Sequence, residues 1–258
     1  MINQKINELF NFKEKIVLIT GSSGQLGVSF CKLFLDIGAT VYGFDKHSNK
    51  LKHKNYIFKK VDISNKIIVK QNINLLIKDK KKIDVIINNA GLGISTKFNK
   101  RTDTEIDQVV SVNINGTLNV INAYAAVHKI KKLKRCNIIN IGSIYGVMSP
   151  DFRIYGKHSN YNSEIYGASK AAVIQLTKYY SVILSKFNIN VNCLSPGGIY
   201  NEEKPQKNSF IKSYSLRIPK GRMGNSEDLH TGIIFLASSK SEYISGQNIL
   251  IDGGLSSW

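Results

Sequence analysis

Short β-branched runs alternate along this chain with longer stretches whose apolar residues recur every three or four positions. The first run, residues 16–20, is continuously apolar until Thr20 and reads as a strand buried on both faces. A glycine-rich loop follows, then helical spacing over 28–36, closed by Gly38. The same pattern predicts strands at 40–44, 56–60, 83–87, 137–141, 190–194 and 248–251. Between them it predicts a helix capped by Ser64 and carrying Ile67, Ile68, Ile73, Leu75 and Leu76, a long helix over 104–128, and another over 164–187. Alternation of this kind predicts an α/β fold: a doubly wound, Rossmann-like parallel sheet of about seven strands with helices on both faces. With 258 residues and no low-complexity linker, the chain is expected to form one domain spanning 1–258.

Open sheets of this class bind ligands beyond the carboxyl ends of their strands, and polar residues gather at those ends here. The first strand leads into Thr20-Gly21-Ser22-Ser23-Gly24-Gln25-Leu26-Gly27. Glycines there let the backbone approach a pyrophosphate, and the next helix points its N-terminus at it. The second strand ends at Asp45, where a carboxylate can accept hydrogen bonds from an adenosine ribose and would repel a 2'-phosphate. NAD is therefore expected over NADP, with Lys46 able to offset part of that repulsion. Val61-Asp62-Ile63 follows the third strand at the end that should face the adenine. The fourth strand runs into Asn88-Asn89-Ala90-Gly91, whose asparagines can tie strand ends together beneath a cofactor. Asn113 and Asn115 lie inside the long helix, an unfavourable place for asparagine that requires a local reason.

The remaining strand ends carry Gly142-Ser143, then Ser195-Pro196-Gly197-Gly198-Ile199, then Asp252-Gly253-Gly254. Helix 164–187 contains Tyr166-Gly167-Ala168-Ser169-Lys170. Four-residue spacing sets the phenol and the ammonium one turn apart on one face. A phenol ionises near 10, so a nearby fixed positive charge is what makes it useful as an acid or base at neutral pH.

The formal charge of +18 raises the question of a nucleic-acid partner. The excess is mostly lysine, accompanied by abundant Asn and Ile as an AT-rich genome would impose, and its densest cluster at 78–82 suits a helix C-terminus. No nucleic-acid partner is expected; a modest attraction for anionic substrates is. No apolar run approaches the roughly 18 residues of a membrane span, and the start of the chain is too polar and acidic for a secretory signal, so a cytoplasmic protein without a membrane partner is expected. Cys31, Cys136 and Cys193 are widely spaced among apolar residues and read as reduced core thiols. His47, His53, His128, His158 and His230 have no metal-ligand spacing, and no metal is expected.

The motifs TGSSGQLG, NNAG, Asn113, Ser143, YGASK and SPGG, in this order over nearly the whole chain, resemble the short-chain dehydrogenase/reductase family in its compact branch. The resemblance implies a catalytic tetrad of Asn113, Ser143, Tyr166 and Lys170. Tyr166 would exchange a proton with the substrate oxygen and Ser143 would hold that oxygen. Lys170 would favour the phenolate and bind the nicotinamide ribose, and Asn113 would anchor a proton-relaying water. It implies cofactor contacts from Gly21, Ser23, Gly24, Gln25, Leu26, Gly27, Asp45, Asp62, Ile63, Asn89, Ala90, Gly91, Pro196, Gly197 and Ile199, together with Tyr166 and Lys170. It implies a substrate-binding loop at 198–224, acting as a mobile lid, and a homodimer or homotetramer built by the helices around Asn113 and Tyr166.

Two departures refine the expectation. Gly21, Gly24 and Gly27 follow a Gly-x-x-Gly-x-x-Gly spacing common in extended epimerases and dehydratases, yet the chain after Gly197 is too short for their substrate region. The interval from Ser143 to Tyr166 is longer than usual and holds Pro150, Asp151, Arg153, Tyr155, Lys157, His158, Asn160 and Tyr161. This 144–165 insertion reads either as a decorated surface loop or as the wall of a pocket for a hydroxylated or anionic molecule. With SPGGI and Arg222-Met223, it is similar to reductases of bacterial surface-sugar biosynthesis. The expected activity is NAD(P)-dependent interconversion of an alcohol and a ketone on a polar, sugar-like small molecule. The alternatives are a 3-oxoacyl thioester reductase, a sugar-nucleotide epimerase or dehydratase, and an NAD-binding regulatory module without turnover.

Overall fold

The computed structural model describes residues 10–155 and 161–257; Lys157, His158 and Asn160 of the insertion lie outside them. Seven strands form one parallel sheet: β1 Ile16–Thr20, β2 Thr40–Asp45, β3 Tyr56–Lys60, β4 Val85–Asn88, β5 Cys136–Ile141, β6 Ile189–Pro196 and β7 Asn248–Ile251. Their order is β3-β2-β1-β4-β5-β6-β7, so the winding reverses between β1 and β4, where Val17 pairs with Val85 and Ile19 with Ile87. That reversal opens a crevice at the carboxyl edge.

The helices are α1 Gln25–Asp36, α2 Lys66–Lys80, α3 Asp103–Val109, α4 Thr117–Lys131, α5 Glu164–Ser185, α6 Asn208–Ser215 and α7 His230–Ala237. Period-two alternation divides the inner strands between two cores. Ile16 and Leu18 of β1 pack with Ile73 of α2, Tyr124 of α4 and Leu184 of α5; Val17 and Ile19 pack with Phe30 and Phe34 of α1 and Ile233 of α7. All three cysteines are buried, and burial pushes the Cys31 thiol up to about 12, which leaves it unreactive.

Two local features differ from the sequence reading. Helix α2 is capped by Asn65 instead of Ser64: Asn65 Oδ1 accepts from the Ile67 and Ile68 amides at 3.0 and 3.1 Å, while the Ser64 hydroxyl donates to Asp62 Oδ1 at 2.6 Å. The long helix at 104–128 is interrupted by a π-helical segment, Val110–Gly116, between α3 and α4. Asn113 is buried in this wide turn, where the backbone departs from regular helical spacing, while Asn115 is exposed and tolerated there by solvent. Gly116 is required there, since an added Cβ would lie 2.4 Å from Ile63 Cδ1.

Candidate active site

The glycine loop is shaped by close approach. Gly21 has φ +64° and an added Cβ would sit 2.6 Å from Ala90 Cα; at Gly27 it would sit 2.0 Å from the Gly21 carbonyl oxygen. Thr20 and Asn89 clamp this loop to the end of β4. The Asn89 amide donates to the Thr20 and Gly21 carbonyls at 3.1 and 3.0 Å, and Thr20 Oγ1 accepts from the backbone of Asn89 and Ala90. The strand-end asparagines therefore do tie neighbouring strands together. Deeper in the sheet, Asn88 donates to Asn140, and Asn140 donates to Thr177 of α5.

A cavity of about 520 Å³ runs along this crevice, lined by Gly21, Gly24, Gln25, Leu26, Asp45, Asp62, Ile63, Asn89, Ala90 and Gly91 among others. Ser23 and Gly27 stand outside that lining. The Ser23 amide instead donates to Asp45 Oδ2 at 2.9 Å, and the His47 amide donates to Oδ1 at 3.0 Å, which fixes the carboxylate at the tip of β2. Lys46 pairs with Asp62 at 3.1 Å, so its charge is already engaged beside the Asp45 position. Burial opposes ionisation of Asp62, but hydrogen bonds from Ser64 and Lys46 outweigh it and hold the carboxyl below its usual range. A backbone cradle that any Cβ would fill, facing a helix N-terminus and ending at a carboxylate, fits a dinucleotide.

Gln25, Leu26, Asn89 and Gly91 are shared with a second cavity of about 580 Å³, lined also by Gly93, Ser143, Asn162, Tyr166, Lys170, Pro196, Gly197, Ile199 and Asn201. Helix α5 starts at the Ser163 cap, whose hydroxyl accepts from the Tyr166 amide at 3.2 Å. Lys170 is 5% exposed; its Nζ donates to the Ile141 carbonyl at 2.7 Å and lies 5.8 Å from the centroid of the Tyr166 ring. Asn113 lies beneath the cavity, 1% exposed. Its Oδ1 accepts from the Leu92 amide at 2.7 Å, and its Nδ2 donates to the Leu92 carbonyl and to Ser169 Oγ at 3.0 and 2.9 Å. Both amide hydrogens are spent on protein, so this side chain joins the post-β4 loop to α5.

The insertion docks on the 198–224 segment. Ile154 packs with Tyr214, Ile218 and Met223 in a small core of their own. Ring contacts run from Phe152 to Tyr161, Tyr155, Phe210 and Tyr214 at centroid separations of 5.0 to 5.6 Å. Arg217 pairs with Asp151 at 2.8 Å; Arg153, bonded to the same carboxyl, and Arg217 hold it down to about 2. Tyr214 accepts from the Gly198 amide at 2.7 Å, and an added Cβ on Gly198 would strike the Tyr214 ring at 2.5 Å. Burial pushes the Tyr214 phenol up to about 12 against the opposing effect of the Gly198 hydrogen bond, so it stays neutral as the anchor of the loop. The polar composition of the insertion therefore hides an aromatic seam. Asn162, Asn201, Gly93 and Leu92 are not marked by any sequence motif; the nearest available signal is Ser163, a cap-type residue directly before the helix of Tyr166.

A dinucleotide cleft at the switch point of a doubly wound sheet, opening into a cavity with Ser, Tyr and Lys, defines an NAD(P)-dependent oxidoreductase. The family model described as enoyl-(acyl carrier protein) reductase matches residues 32–256, and the chain belongs to the short-chain dehydrogenase/reductase family. It is 34% identical over 253 residues to a 3-oxoacyl-(acyl-carrier-protein) reductase of Thermotoga maritima, covering 93% of this chain and 97% of that one. It is 33% identical over 245 residues to an uncharacterized oxidoreductase of Schizosaccharomyces pombe, covering 93% and 90%. A short-chain dehydrogenase of Leptospira borgpetersenii solved with bound NAD+ superposes with a TM-score of 0.90 at 40% identity, covering 96% of this chain and 95% of that one. Among the described residues, no helix is long and apolar enough to cross a membrane.

Proposed function

We propose that this enzyme interconverts a ketone and a secondary alcohol on a polar, sugar-like small molecule, with NAD as its preferred cofactor. The observation that carries the reading is the lining of the catalytic cavity, where Ser143, Tyr166 and Lys170 share one space with the side chains of Asn162 and Asn201, while the amides of Gln25 and Asn89 beside them donate to the Tyr200, Thr20 and Gly21 carbonyls. Such a wall matches hydroxyls better than an acyl chain. Bound nicotinamide supplies or accepts the hydride. In the direction of reduction, the Tyr166 hydroxyl gives its proton to the substrate oxygen, and the Ser143 hydroxyl donates a hydrogen bond to that same oxygen. Lys170 stabilises the phenolate that remains, and Asn113 holds the Leu92 backbone that borders the cleft.

Gly21, Gly24, Gln25, Leu26, Asn89, Ala90 and Gly91 would hold the dinucleotide along the crevice, Asp45 the adenosine ribose, and Pro196, Gly197 and Ile199 the nicotinamide end. Asp45 is held in place by two amides while Lys46 is drawn to Asp62, which supports NAD over NADP. Asp45→Ala is expected to weaken NAD binding about tenfold and to narrow the gap to NADP, as read by fluorescence titration. Equal or tighter NAD binding would remove Asp45 from the account.

The function is tested by following NADH consumption with keto-sugars, keto-sugar phosphates, keto-sugar nucleotides and acetoacetyl thioesters. Consumption with a hydroxylated ketone is the expected result. Consumption with thioesters alone would overturn it in favour of the 3-oxoacyl reductase reading that the Thermotoga relative supports.

A further inference from the structure

Among the asparagines around the sheet's carboxyl edge, most are committed to the fold. The side-chain amides of Asn88, Asn89, Asn113, Asn140 and Asn192 all donate to protein oxygens. Asn162 differs: among the described residues its side chain makes no hydrogen bond, yet it lines the cavity that contains Ser143, Tyr166 and Lys170. It is the last residue before the Ser163 cap, so its backbone is fixed to the same first turn that carries Tyr166.

The space in front of it is kept open by Gly93. An added Cβ on Gly93 would lie 3.7 Å from Asn162 Oδ1, and 3.6 and 3.8 Å from Cδ2 and Cε2 of the Tyr166 ring. One carbon-sized position thus touches both the uncommitted amide and the ring that would carry the reactive hydroxyl. Gly93 does not have a positive φ, so backbone conformation does not account for the glycine there. What the missing side chain provides is room.

A primary amide presents a donor and an acceptor side by side. A neutral hydroxyl, which both donates and accepts, satisfies it in one contact; a carboxylate engages only the donor and a methylene engages neither. Among the described residues the one cation lining this cavity is Lys170, whose ammonium is bonded to the Ile141 carbonyl. We propose that Asn162 is the specificity-determining residue of this enzyme, hydrogen-bonding a hydroxyl on the carbon next to the reacting one and so selecting α-hydroxy ketones and, in reverse, vicinal diols. This rests on the proposed polar-substrate function and extends it to a particular residue and a particular substrate pattern.

The test uses hydroxyacetone and butanone, which differ by a hydroxyl for a methyl. The wild-type enzyme with NADH is expected to favour hydroxyacetone by about tenfold or more in kcat/KM. Asn162→Leu should lower kcat/KM for hydroxyacetone about tenfold and leave butanone within about twofold, erasing the preference. Gly93→Ala, whose methyl would make only ordinary van der Waals contacts, should erode the same preference by filling the space before Asn162. Neither position lines the adenosine part of the cleft from Gly21 to Asp62, so any change in NADH affinity should act equally on both ketones and leave the ratio of their kcat/KM values as the readout. A wild-type preference that survives Asn162→Leu overturns the role of Asn162 while leaving the polar-substrate function in place. No wild-type preference for hydroxyacetone, or turnover of acetoacetyl thioesters alone, overturns the polar-substrate function itself.

Discussion

Tyr166→Phe is expected to lower kcat about a thousandfold with cofactor affinity unchanged within about twofold. The substitution removes one oxygen and keeps the ring. Among the described residues the Tyr166 hydroxyl has no hydrogen-bond partner, whereas its backbone amide is held by the Ser163 cap. Deleting the hydroxyl therefore strands no donor or acceptor and should leave Tm nearly unaltered. The loss falls on proton transfer alone, so it should appear in kcat when turnover of the substrate found in the ketone panel is measured, and not in an NADH titration. Retention of more than a tenth of wild-type kcat would mean that another group moves the proton.

Lys170→Met should act on both turnover and cofactor. The ammonium is almost fully buried and bonded to the Ile141 carbonyl, with no carboxylate partner among the ion pairs of the described residues. A buried cation so placed is poorly solvated, and ligand oxygens are what it lacks. Removing it should cut kcat at least about a hundredfold, because the phenolate then loses its counter-charge. It should also weaken NAD binding about tenfold, which corresponds to about 1.4 kcal/mol. That second effect is read as a smaller rise in Tm on adding saturating NAD+. An unchanged thermal shift together with more than half of wild-type kcat would exclude both roles.

The docking of the insertion on the 198–224 segment couples the two. Ile154 and Tyr155 of the insertion share a seam with Phe210 and Tyr214, and Asp151 reaches Arg217 across it. The sequence reading treated 144–165 and 198–224 separately, one as a loop or a polar wall and the other as a mobile lid. In the structure they contact each other through aromatic rings, so motion of one carries a packing cost in the other. Helix α6 forms inside a stretch whose charged residues and prolines had masked its short amphipathic pattern.

What the amino-acid sequence determined by itself was the local order of the chain. Seven runs rich in β-branched residues, the central ones buried and each followed by Gly, Asn, Ser or Asp within a residue or two, specify strands and the polar edge at which they stop, because strand burial and turn chemistry are encoded within a few neighbouring residues. Tyr166 and Lys170 were likewise legible, since helical spacing alone places them on one face. Strand ends at 45, 62, 89, 143 and 196 converge on one crevice only through the parallel order β3-β2-β1-β4-β5-β6-β7, a long-range outcome. The same holds for the pairing of Lys46 with Asp62, the π turn that turns Asn113 into a clamp, and the aromatic seam under a polar insertion. Each depends on which distant segment arrives opposite, and a linear pattern of residue types carries no record of that. Asn162 is the clearest case: its amide matters because Gly93, brought in by the loop after β4, leaves the space in front of it empty.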